Sequence, residues 1–370
     1  MKLTMFRLGS ALLIFLFILS ALPAGAVSGG AYIAPFNTVT EIASTVPANG
    51  DVNPYGVAVI PHSTGSLVKG NILVSNFNNS NNAQGTGTTI VQVAPNGKVK
   101  LFAKIDAHKL PGKCPGGVGL TTALVVLRAG WVIVGSLPTN NGDPATSKAG
   151  CLIVLNNKGK VVETFSGGQI NGPWDMTALE GDDWALLFVA NVLNGTVAGN
   201  GSVVNQGTVV RITLALPDKG IPRQVSQKVI GSGFGEKTDP DALVIGPTGL
   251  GLGKDGTLYV ADTLANRIGA ISQATSRKSS AGTGKTVSVG GALNGPLGLA
   301  IVPNCDILVV NSHDGNMVEV TPAGSQVAVK PVDDTGTGAG TLFGLAVVPG
   351  GKGVYFVNDG NNKLDLLSSP

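Results

Sequence analysis

IGPTGLGLGKDGTLYVADTLANRIGAIS, residues 245–272, is the stretch that decides the fold of this 370-residue chain. It reads as a turn, an apolar strand, a Gly turn, a second apolar strand ending at Asp262, a short turn and a third strand. Related phrases occur five more times. Their first strands open at Asn53-Pro54-Tyr55-Gly56, Pro115-Gly116-Gly117-Val118-Gly119, Gly172-Pro173-Trp174-Asp175, Gly295-Pro296-Leu297-Gly298 and Leu342-Phe343-Gly344. Repetition of one strand–turn–strand unit is typical of radial or stacked arrays of sheets.

The second strand of each unit is an almost unbroken apolar run, as in LFVAN and LYVAD. Such runs favour strands that are buried on both faces. Pro fits the first position of a strand, since it has no N–H to give to the sheet ladder. Gly supplies 54 residues and charged residues only 13 % of the chain, which together predict an all-β protein with many turns.

The repeated phrase resembles the NHL repeat, whose hallmark is a Pro-x-Gly strand followed by a Tyr-Val-Ala-Asp strand and an Asn-Arg pair. The fourth unit matches that pattern nearly throughout, with Pro247, Gly249, Tyr259, Val260, Ala261, Asp262, Asn266 and Arg267. Units one to three are looser and carry insertions. The resemblance implies a six-bladed β-propeller. It implies little about activity, because this fold carries many unrelated functions.

The first 26 residues are predicted to be a signal peptide. Lys2 and Arg7 precede an apolar run from Ala11 to Leu22, and a small-x-small cleavage site lies before Val27. The apolar run is short for a membrane helix. We therefore expect a secreted or periplasmic protein with no membrane span after cleavage.

Residues 27–370 are interpreted as one propeller domain. Its blades are placed near residues 50–106, 111–167, 168–233, 239–291, 292–331 and 338–370. The last blade lacks an outer strand, while FNTVTEIAST, residues 36–45, alternates like a strand and has no blade of its own. We expect residues 32–46 to complete the last blade and close the ring, which leaves few exposed sheet edges.

The charge of the chain argues against nucleic acid as a partner. The formal net charge is +3, and removal of Lys2 and Arg7 with the signal peptide lowers it by two, to +1. A near-neutral surface without a basic cluster does not attract a polyanion. We expect a monomer whose partner is a glycan, a peptide or an envelope protein.

Three cysteines follow the signal peptide: Cys114, Cys151 and Cys305. An exported protein can keep a disulfide. In a propeller blade, the loop before the first strand and the loop between the second and third strands share one face, and these loops of blade two carry Cys114 and Cys151. A Cys114–Cys151 bridge is therefore predicted, with three reduced thiols as the alternative. Cys305 is expected to be free.

Insertions are confined to the first three blades. They occupy residues 76–88, 136–150 and 191–208, each between a second and a third strand. Connections of that kind all project from one face, and long loops on a rigid scaffold often carry function. This face is predicted to hold the ligand, although Asn- and Gly-rich insertions are also tolerated as plain surface loops.

Polar residues end most of the second strands: Asn76, Asn191, Asp262, Asn311 and Asn358. Their oxygens are candidate ligands for Ca²⁺, which takes six to eight oxygen donors. The other interpretation is that each Asn or Asp caps its own tight turn. The second interpretation explains better why nearly every blade carries one. Asp262 and Arg267 are expected to pair within blade four.

Asp175 breaks the repeat. At the corresponding position the other first strands carry Gly56, Gly119, Gly249, Gly298 and Gly344. A repeat departs from its own rule where something specific happens. Asp175 is a candidate metal ligand at the channel mouth, and Trp174 beside it is a candidate stacking platform for a sugar ring. A salt bridge or a turn cap is the structural alternative for Asp175.

Two functions remain open at this level. The first is an exported binding or scaffold module that uses Trp174, Asp175, Asn76, Asn191, Asp262, Asn311 and Asn358 on the face that carries the insertions. The second is a calcium-dependent enzyme similar to lactonases or lyases, with Asp175 at the channel mouth; Ca²⁺ is the candidate cofactor of that reading. A calcium response that disappears in Asp175→Asn would distinguish them.

Overall fold

The computed structural model describes residues 30–240, 242–333, 335 and 340–370. In these residues the chain forms 25 strands in six antiparallel sheets. The innermost strand of each sheet contacts the innermost strands of the two neighbouring sheets, so the six contacts close a ring. The predicted six-bladed β-propeller is thus confirmed. The predicted signal peptide, its cleavage site and the predicted start of blade six at residue 338 lie outside the described residues.

Each of the first two blades has four strands. β1 (Thr38–Ser44) precedes them. Blade one holds β2 (Val52–Val59), β3 (Ile72–Asn78), β4 (Thr89–Val93) and β5 (Val99–Lys104); blade two holds β6 (Leu120–Val126), β7 (Val132–Ser136), β8 (Cys151–Leu155) and β9 (Val161–Phe165). Blade three has five strands: β10 (Pro173–Glu180), β11 (Trp184–Asn191), β12 (Val204–Ala215), β13 (Arg223–Asp239) and β14 (Leu243–Ile245).

The second half follows the repeat more closely. Blade four holds β15 (Pro247–Leu252), β16 (Leu258–Asp262), β17 (Arg267–Ile271) and β18 (Lys285–Val289). Blade five holds β19 (Pro296–Ile301), β20 (Ile307–Asn311), β21 (Asn316–Val320) and β22 (Gln326–Pro331), and blade six β23 (Leu342–Val347), β24 (Gly353–Asn358) and β25 (Lys363–Ser368). Helical turns are Ala107–Lys109 and Pro144–Thr146, both 3-10, and α1 (Thr196–Gly199). No helix in the described part of the chain is long and apolar enough to cross a bilayer.

The first strand completes the last blade, as predicted. β1 runs antiparallel to β25, from Thr38 opposite Ser368 to Ser44 opposite Lys363. The residues just before β1 are held as well: the buried carboxylate of Glu319 accepts the N–H groups of Tyr32 at 2.7 Å and Ile33 at 2.9 Å. The two ends of the described chain are therefore joined in one sheet, and β1 covers the edge of β25.

Blade three takes its fifth strand from the segment that was assigned to the start of blade four. β14 pairs with the end of β13, Lys237 opposite Ile245. Leu243 lies in this segment with a φ of 64°, a left-handed conformation that is uncommon for a residue other than Gly. The sharp turn carries Leu243, Val244 and Ile245 into the centre of the ring, where all three are buried.

The predicted disulfide is present. Cys114 and Cys151 are bonded, with their Cα atoms 5.2 Å apart. The bridge fixes the loop before β6 to the first residue of β8. Cys305 is free and partly exposed, in a turn at the opposite end of the propeller.

Candidate functional site

The central channel is closed at the end where the inner strands begin. Four aromatic rings and the segment around Leu243 and Val244 fill it, and they belong to one buried cluster. The ring of Tyr55 stacks on Phe343 with centroids 3.8 Å apart and on Phe77 at 4.4 Å, and Trp174 lies 6.3 Å from Tyr55. We call this cluster the plug. It separates the insertion-bearing end of the propeller from the other end.

Trp174 is part of the plug. Its side chain is 1 % exposed, and its indole N–H donates to the backbone oxygen of Val244 at 2.9 Å. A buried indole normally needs such a partner. The ring is therefore covered by protein, and the predicted role of Trp174 as a stacking platform for a sugar does not fit this structure.

The opposite end of the channel is open and forms a cavity of about 390 Å³, which we call the funnel. Inner strands of all six blades line it, each from its third or later residue onward, with Val57, Leu124, Met176, Leu250, Leu299 and Leu345 among the lining residues. Most of its lining side chains are apolar, although polar atoms contribute more than half of the exposed wall. Of the described residues that line it, only Asp175 is ionisable.

Asp175 sits at the inner end of the funnel. Its Oδ2 accepts the N–H of Leu250, on the neighbouring blade, at 2.8 Å. Burial raises the pKa of Asp175 to about 7, against the opposing effect of the hydrogen bonds from the backbone of Leu250 and Met176. Near neutral pH the carboxyl group therefore exists in both protonation states, which suits proton transfer.

The Gly residues at the matching positions explain why Asp175 is exceptional. A Cβ atom at Gly249, Gly298 or Gly344 would overlap a backbone oxygen of the next inner strand. Neighbouring blades therefore approach closely there, and only Gly fits. Between blades three and four the strands leave room for a side chain, and the Asp175 carboxylate bridges the gap to Leu250.

The alignment in blade two needs a correction. The inner strand β6 begins at Leu120, which pairs with Ser136. Its register then shifts, and regular pairing resumes at Leu124, which pairs with Val134. In blade three, Met176 occupies the latter position. The residue that matches Asp175 is thus Ala123, whereas Gly119 lies before the strand. One extra residue in β6 shifted the sequence alignment.

The predicted polar ring does not converge on Asp175. Its members are buried at the plugged end, and each bonds either within its own turn or to the segment that leads into the inner strand of its blade. Asn76 donates to Thr45 O, Asn191 accepts from Asn171 N, Asn311 donates to Ala292 O, Asn358 accepts from Gly360 N, and Asp262 binds Arg267 Nε at 2.9 Å. Turn capping fits Asn358, and the Asp262–Arg267 pair is present, whereas Asn76, Asn191 and Asn311 fasten the segment before the inner strand. No ligand-facing ring is formed by these five residues.

The donor set around Asp175 does not suit a calcium ion. Ca²⁺ needs six to eight oxygens, but the funnel wall beside Asp175 is formed by apolar side chains and the hydroxyl-bearing Thr122 and Thr177. One oxygen of Asp175 already accepts a backbone N–H. Within the described residues, no three side chains of His, Cys, Asp or Glu are grouped as metal ligands.

The insertions of blades one and two meet at the plugged end, where they line two shallow depressions of about 630 and 590 Å³. Asn82, Gln84 and Pro240 belong to both depressions. Gln84 Nε2 donates to Pro240 O at 2.6 Å and so links the first insertion to the segment that enters the plug. Amide side chains dominate the lining, with Asn78, Asn79, Asn81, Asn82, Gln84, Asn140, Asn141 and Asn362. We call this surface the amide rim.

The third insertion reaches the same end of the propeller as the other two but has a different role there. Residues 191–208 do not line either depression among the described residues; α1 instead packs on β13 and on the 3-10 turn Pro144–Thr146 of the second insertion. This insertion thus supports the amide rim rather than forming it. The plug could not be predicted from the sequence, because no local sequence pattern indicates that residues 242–245 turn into the channel.

Comparison with known proteins supports the fold. No protein-family model matches the chain, and no curated protein matches it. A gluconolactonase from Xanthomonas campestris is similar in structure, with a TM-score of 0.55 and 11 % identity over 94 % of this chain and 93 % of that one. A putative gluconolactonase is also similar, with a TM-score of 0.52 and 13 % identity over 91 % of this chain and 93 % of that one. The calcium-binding protein regucalcin from Agrobacterium tumefaciens has a TM-score of 0.52 and 12 % identity over 88 % of this chain and 93 % of that one. At such identities the likeness concerns the fold alone.

Proposed function

We propose that this chain is an exported NHL-type propeller that acts as a binding module, and that the amide rim is its ligand surface. The observation that supports this most directly is the convergence of two insertions and the Asp239–Pro240 segment into one continuous polar surface. A propeller needs none of these insertions to close its ring, since blades four to six do without them.

The chemistry of the amide rim favours an uncharged, hydroxyl-rich ligand, for which a glycan is the best fit. Each Asn or Gln side chain offers both a donor and an acceptor, and so does each sugar hydroxyl. The lining contains Asp239 and Asp359 but no basic residue among its described members, which disfavours an anionic ligand. Shallow depressions without an aromatic platform imply weak binding, of about 10⁻⁴ to 10⁻³ M.

A glycan array followed by NMR titration tests this proposal. Asn81 and Asn140 are exposed and belong to different insertions. The double variant Asn81→Ala/Asn140→Ala is expected to weaken binding at least about tenfold without lowering the melting temperature, since loss of two hydrogen bonds at an interface is on the order of 1–3 kcal/mol. Asn96→Ala is the matched control, because Asn96 is an exposed amide in the turn after β4, at the opposite end. If the protein binds peptides from a library and no glycan, the ligand is a peptide and the glycan proposal is wrong. If the double variant binds the glycan as tightly as wild type, the amide rim is not the binding surface.

Asp175 favours a second candidate, a lactonase- or lyase-like enzyme that works in the funnel. Its pKa of about 7 is suited to a general base, and the funnel gives a substrate access to it. A role for Asp175 as a calcium ligand is not carried forward, because the donors around it are too few. Lactone hydrolysis that is lost in Asp175→Asn and retained in EDTA would establish this candidate; the amide-rim variant should leave it unchanged.

A further inference from the structure

Blade four carries an extended turn between its third and fourth strands. Residues 272–284 form it, between β17 and β18. The same connection is short in blades one, two and five, where it takes residues 94–98, 156–160 and 321–325. The extended turn is fixed to blade three, because Ala281 N donates to Ile230 O of β13 at 2.9 Å. A long connection that is held on a rigid scaffold is a common place for a binding site.

The extended turn and blade five line a cavity of about 700 Å³, which we call the outer pocket. β17 runs towards the funnel end, so the outer pocket lies at that end of the propeller. Pro322 and Ala323, in a turn of blade five, line one side. On blade four, Tyr259 contributes an aromatic ring and Val287 an aliphatic side chain. The outer pocket shares no described lining residue with the funnel or the amide rim and is therefore a separate cavity.

The outer pocket is positively charged. Its described lining residues include Arg277 and Lys285 but no Asp or Glu. Neither cation forms an ion pair with another described residue. The carboxylate of Asp255, in the turn before β16, is not part of the lining, and it accepts the N–H and the hydroxyl of Thr257 at 3.0 and 2.9 Å. Two positive charges in a cavity whose described lining holds no carboxylate attract an anion.

The guanidinium group of Arg277 is fixed by one edge and free at the other. Its Nε donates to Ser272 O at 3.1 Å, and its Nη2 donates to Ser272 Oγ at 3.3 Å. No described residue accepts from Nη1. A guanidinium group that is held in this way can offer paired N–H donors to an oxyanion.

Hydroxyl groups add further donors to the lining. Thr286 Oγ1 accepts from Arg267 Nη1 at 3.2 Å, and Ser272 Oγ accepts from Arg277 Nη2, so the proton of each hydroxyl remains available. The ammonium group of Lys285 adds three N–H donors. A carboxylate has one negative charge and two oxygens, whereas a phosphoryl group has nearly two charges and three acceptor oxygens. The phosphoryl group therefore matches two cations and several free donors better.

We propose that the outer pocket binds a phosphomonoester. Its phosphoryl group lies at Arg277 and Lys285, and its organic group lies against Tyr259 and Val287. Two cations neutralise one phosphoryl group, which agrees with a protein whose overall charge does not attract a polyanion. Because the pocket is open to solvent, the dissociation constant is expected to be on the order of 10⁻⁴ to 10⁻³ M. This site depends neither on the proposed glycan binding nor on any reaction in the funnel.

An NMR titration of the whole ¹⁵N-labelled protein with phenyl phosphate, at fixed ionic strength, tests the site. The amide signals of residues 272–284 are expected to shift and to saturate. Arg277→Gln should weaken binding at least about tenfold, because it removes a charge-assisted contact. Lys285→Gln should weaken it at least about threefold without lowering the melting temperature, since no described residue bonds the Lys285 ammonium group. Lys278→Gln is the matched control: it alters an exposed lysine of the same turn that does not line the pocket, and should bind as wild type.

Two comparison ligands distinguish the phosphomonoester from other anions. Inorganic phosphate lacks the organic group and should bind at least about threefold more weakly than phenyl phosphate. Benzoate keeps the ring but carries a single charge, and should also bind at least about threefold more weakly. Equal binding of inorganic phosphate would mean that the pocket takes the free anion, and equal binding of benzoate that it takes carboxylates; either result would overturn the proposal. So would the absence of a saturable shift with phenyl phosphate, or binding that both Arg277→Gln and Lys285→Gln leave unchanged.

Discussion

The indole N–H of Trp174 donates to the backbone oxygen of Val244 over 2.9 Å, across the centre of the ring from blade three to the segment before blade four. The next residue, Asp175, bonds Leu250 on blade four but belongs to the funnel. Two consecutive residues thus serve opposite ends of one channel. The plug divides the propeller into an end with insertions and an end whose funnel carries one carboxyl group among its described lining residues. Ligands at the two ends would not compete.

Trp174→Phe is predicted to destabilise the protein by about 1–3 kcal/mol, because it leaves the buried oxygen of Val244 without a donor. Trp174→Ala should cost about 3–5 kcal/mol through the cavity it creates. Urea unfolding monitored by circular dichroism measures both values. Phe165→Leu, in a different core cluster, is a control for general loss of packing. An unchanged midpoint for Trp174→Phe would mean that the Trp174–Val244 hydrogen bond contributes nothing.

Asp175→Asn is predicted to change how stability depends on pH. The pKa of Asp175 is raised in the folded protein from an ordinary value of 3.8 to about 7. Since the folded state then holds its proton more tightly than the unfolded state, this group lowers stability as the pH rises from about 4 to 7, and the loss is complete above pH 7. The variant lacks this loss.

The measurement compares wild type and Asp175→Asn at about pH 4.5 and pH 8. At the higher pH the variant should gain about 1–3 kcal/mol in free energy of unfolding relative to wild type. A rise of the Asp175 pKa from 3.8 to about 7 corresponds to roughly 4 kcal/mol, and the expected value is smaller because solvent in the funnel screens the carboxyl group. Glu236 titrates in the same direction, with a pKa raised by burial to about 7. Its contribution cancels in the difference between the two proteins. An equal difference at both pH values would contradict the shift.

The parts of this fold that repeat were readable from the sequence. The apolar second strands and the Gly-containing openings of the inner strands predicted six blades, and the alternation in residues 36–45 predicted β1. The bridge between Cys114 and Cys151 followed from two loops that share one face. Each of these inferences rests on a local pattern combined with the antiparallel order of the strands.

The parts that depart from the repeat could not be read in this way. The sequence alignment matched Gly119 to Asp175 because periodicity does not reveal the extra residue in β6. The burial of Trp174 depends on where residues 242–245 turn, which is a tertiary contact over 70 residues.

The disulfide leads to a prediction about thiols and stability. Native protein should contain one free thiol, Cys305, after denaturation without reductant. Cys114→Ser/Cys151→Ser should lose about 3–4 kcal/mol of stability, as expected for a bridge that spans 37 residues. Cys305→Ser should behave as wild type. Three titratable thiols, or equal stability of the double variant, would argue against a bridge in the purified protein.

The last prediction concerns closure of the ring by β1. Deletion of residues 31–46 would expose the edge of β25 from Lys363 to Ser368 and would leave the buried carboxylate of Glu319 without the N–H groups of Tyr32 and Ile33. An open strand edge promotes association between chains. Glu319 would keep only the amide of Asn304 at 3.0 Å as a donor, and loss of its other donors costs about 1–3 kcal/mol. The truncated protein is therefore expected to be insoluble or to melt at least about 10 °C lower. Glu319→Ala in the intact chain separates the two effects, because it keeps β1 in place and should remain soluble while losing about 2–4 kcal/mol. A soluble truncated protein with unchanged melting temperature would show that the ring does not need β1 to close.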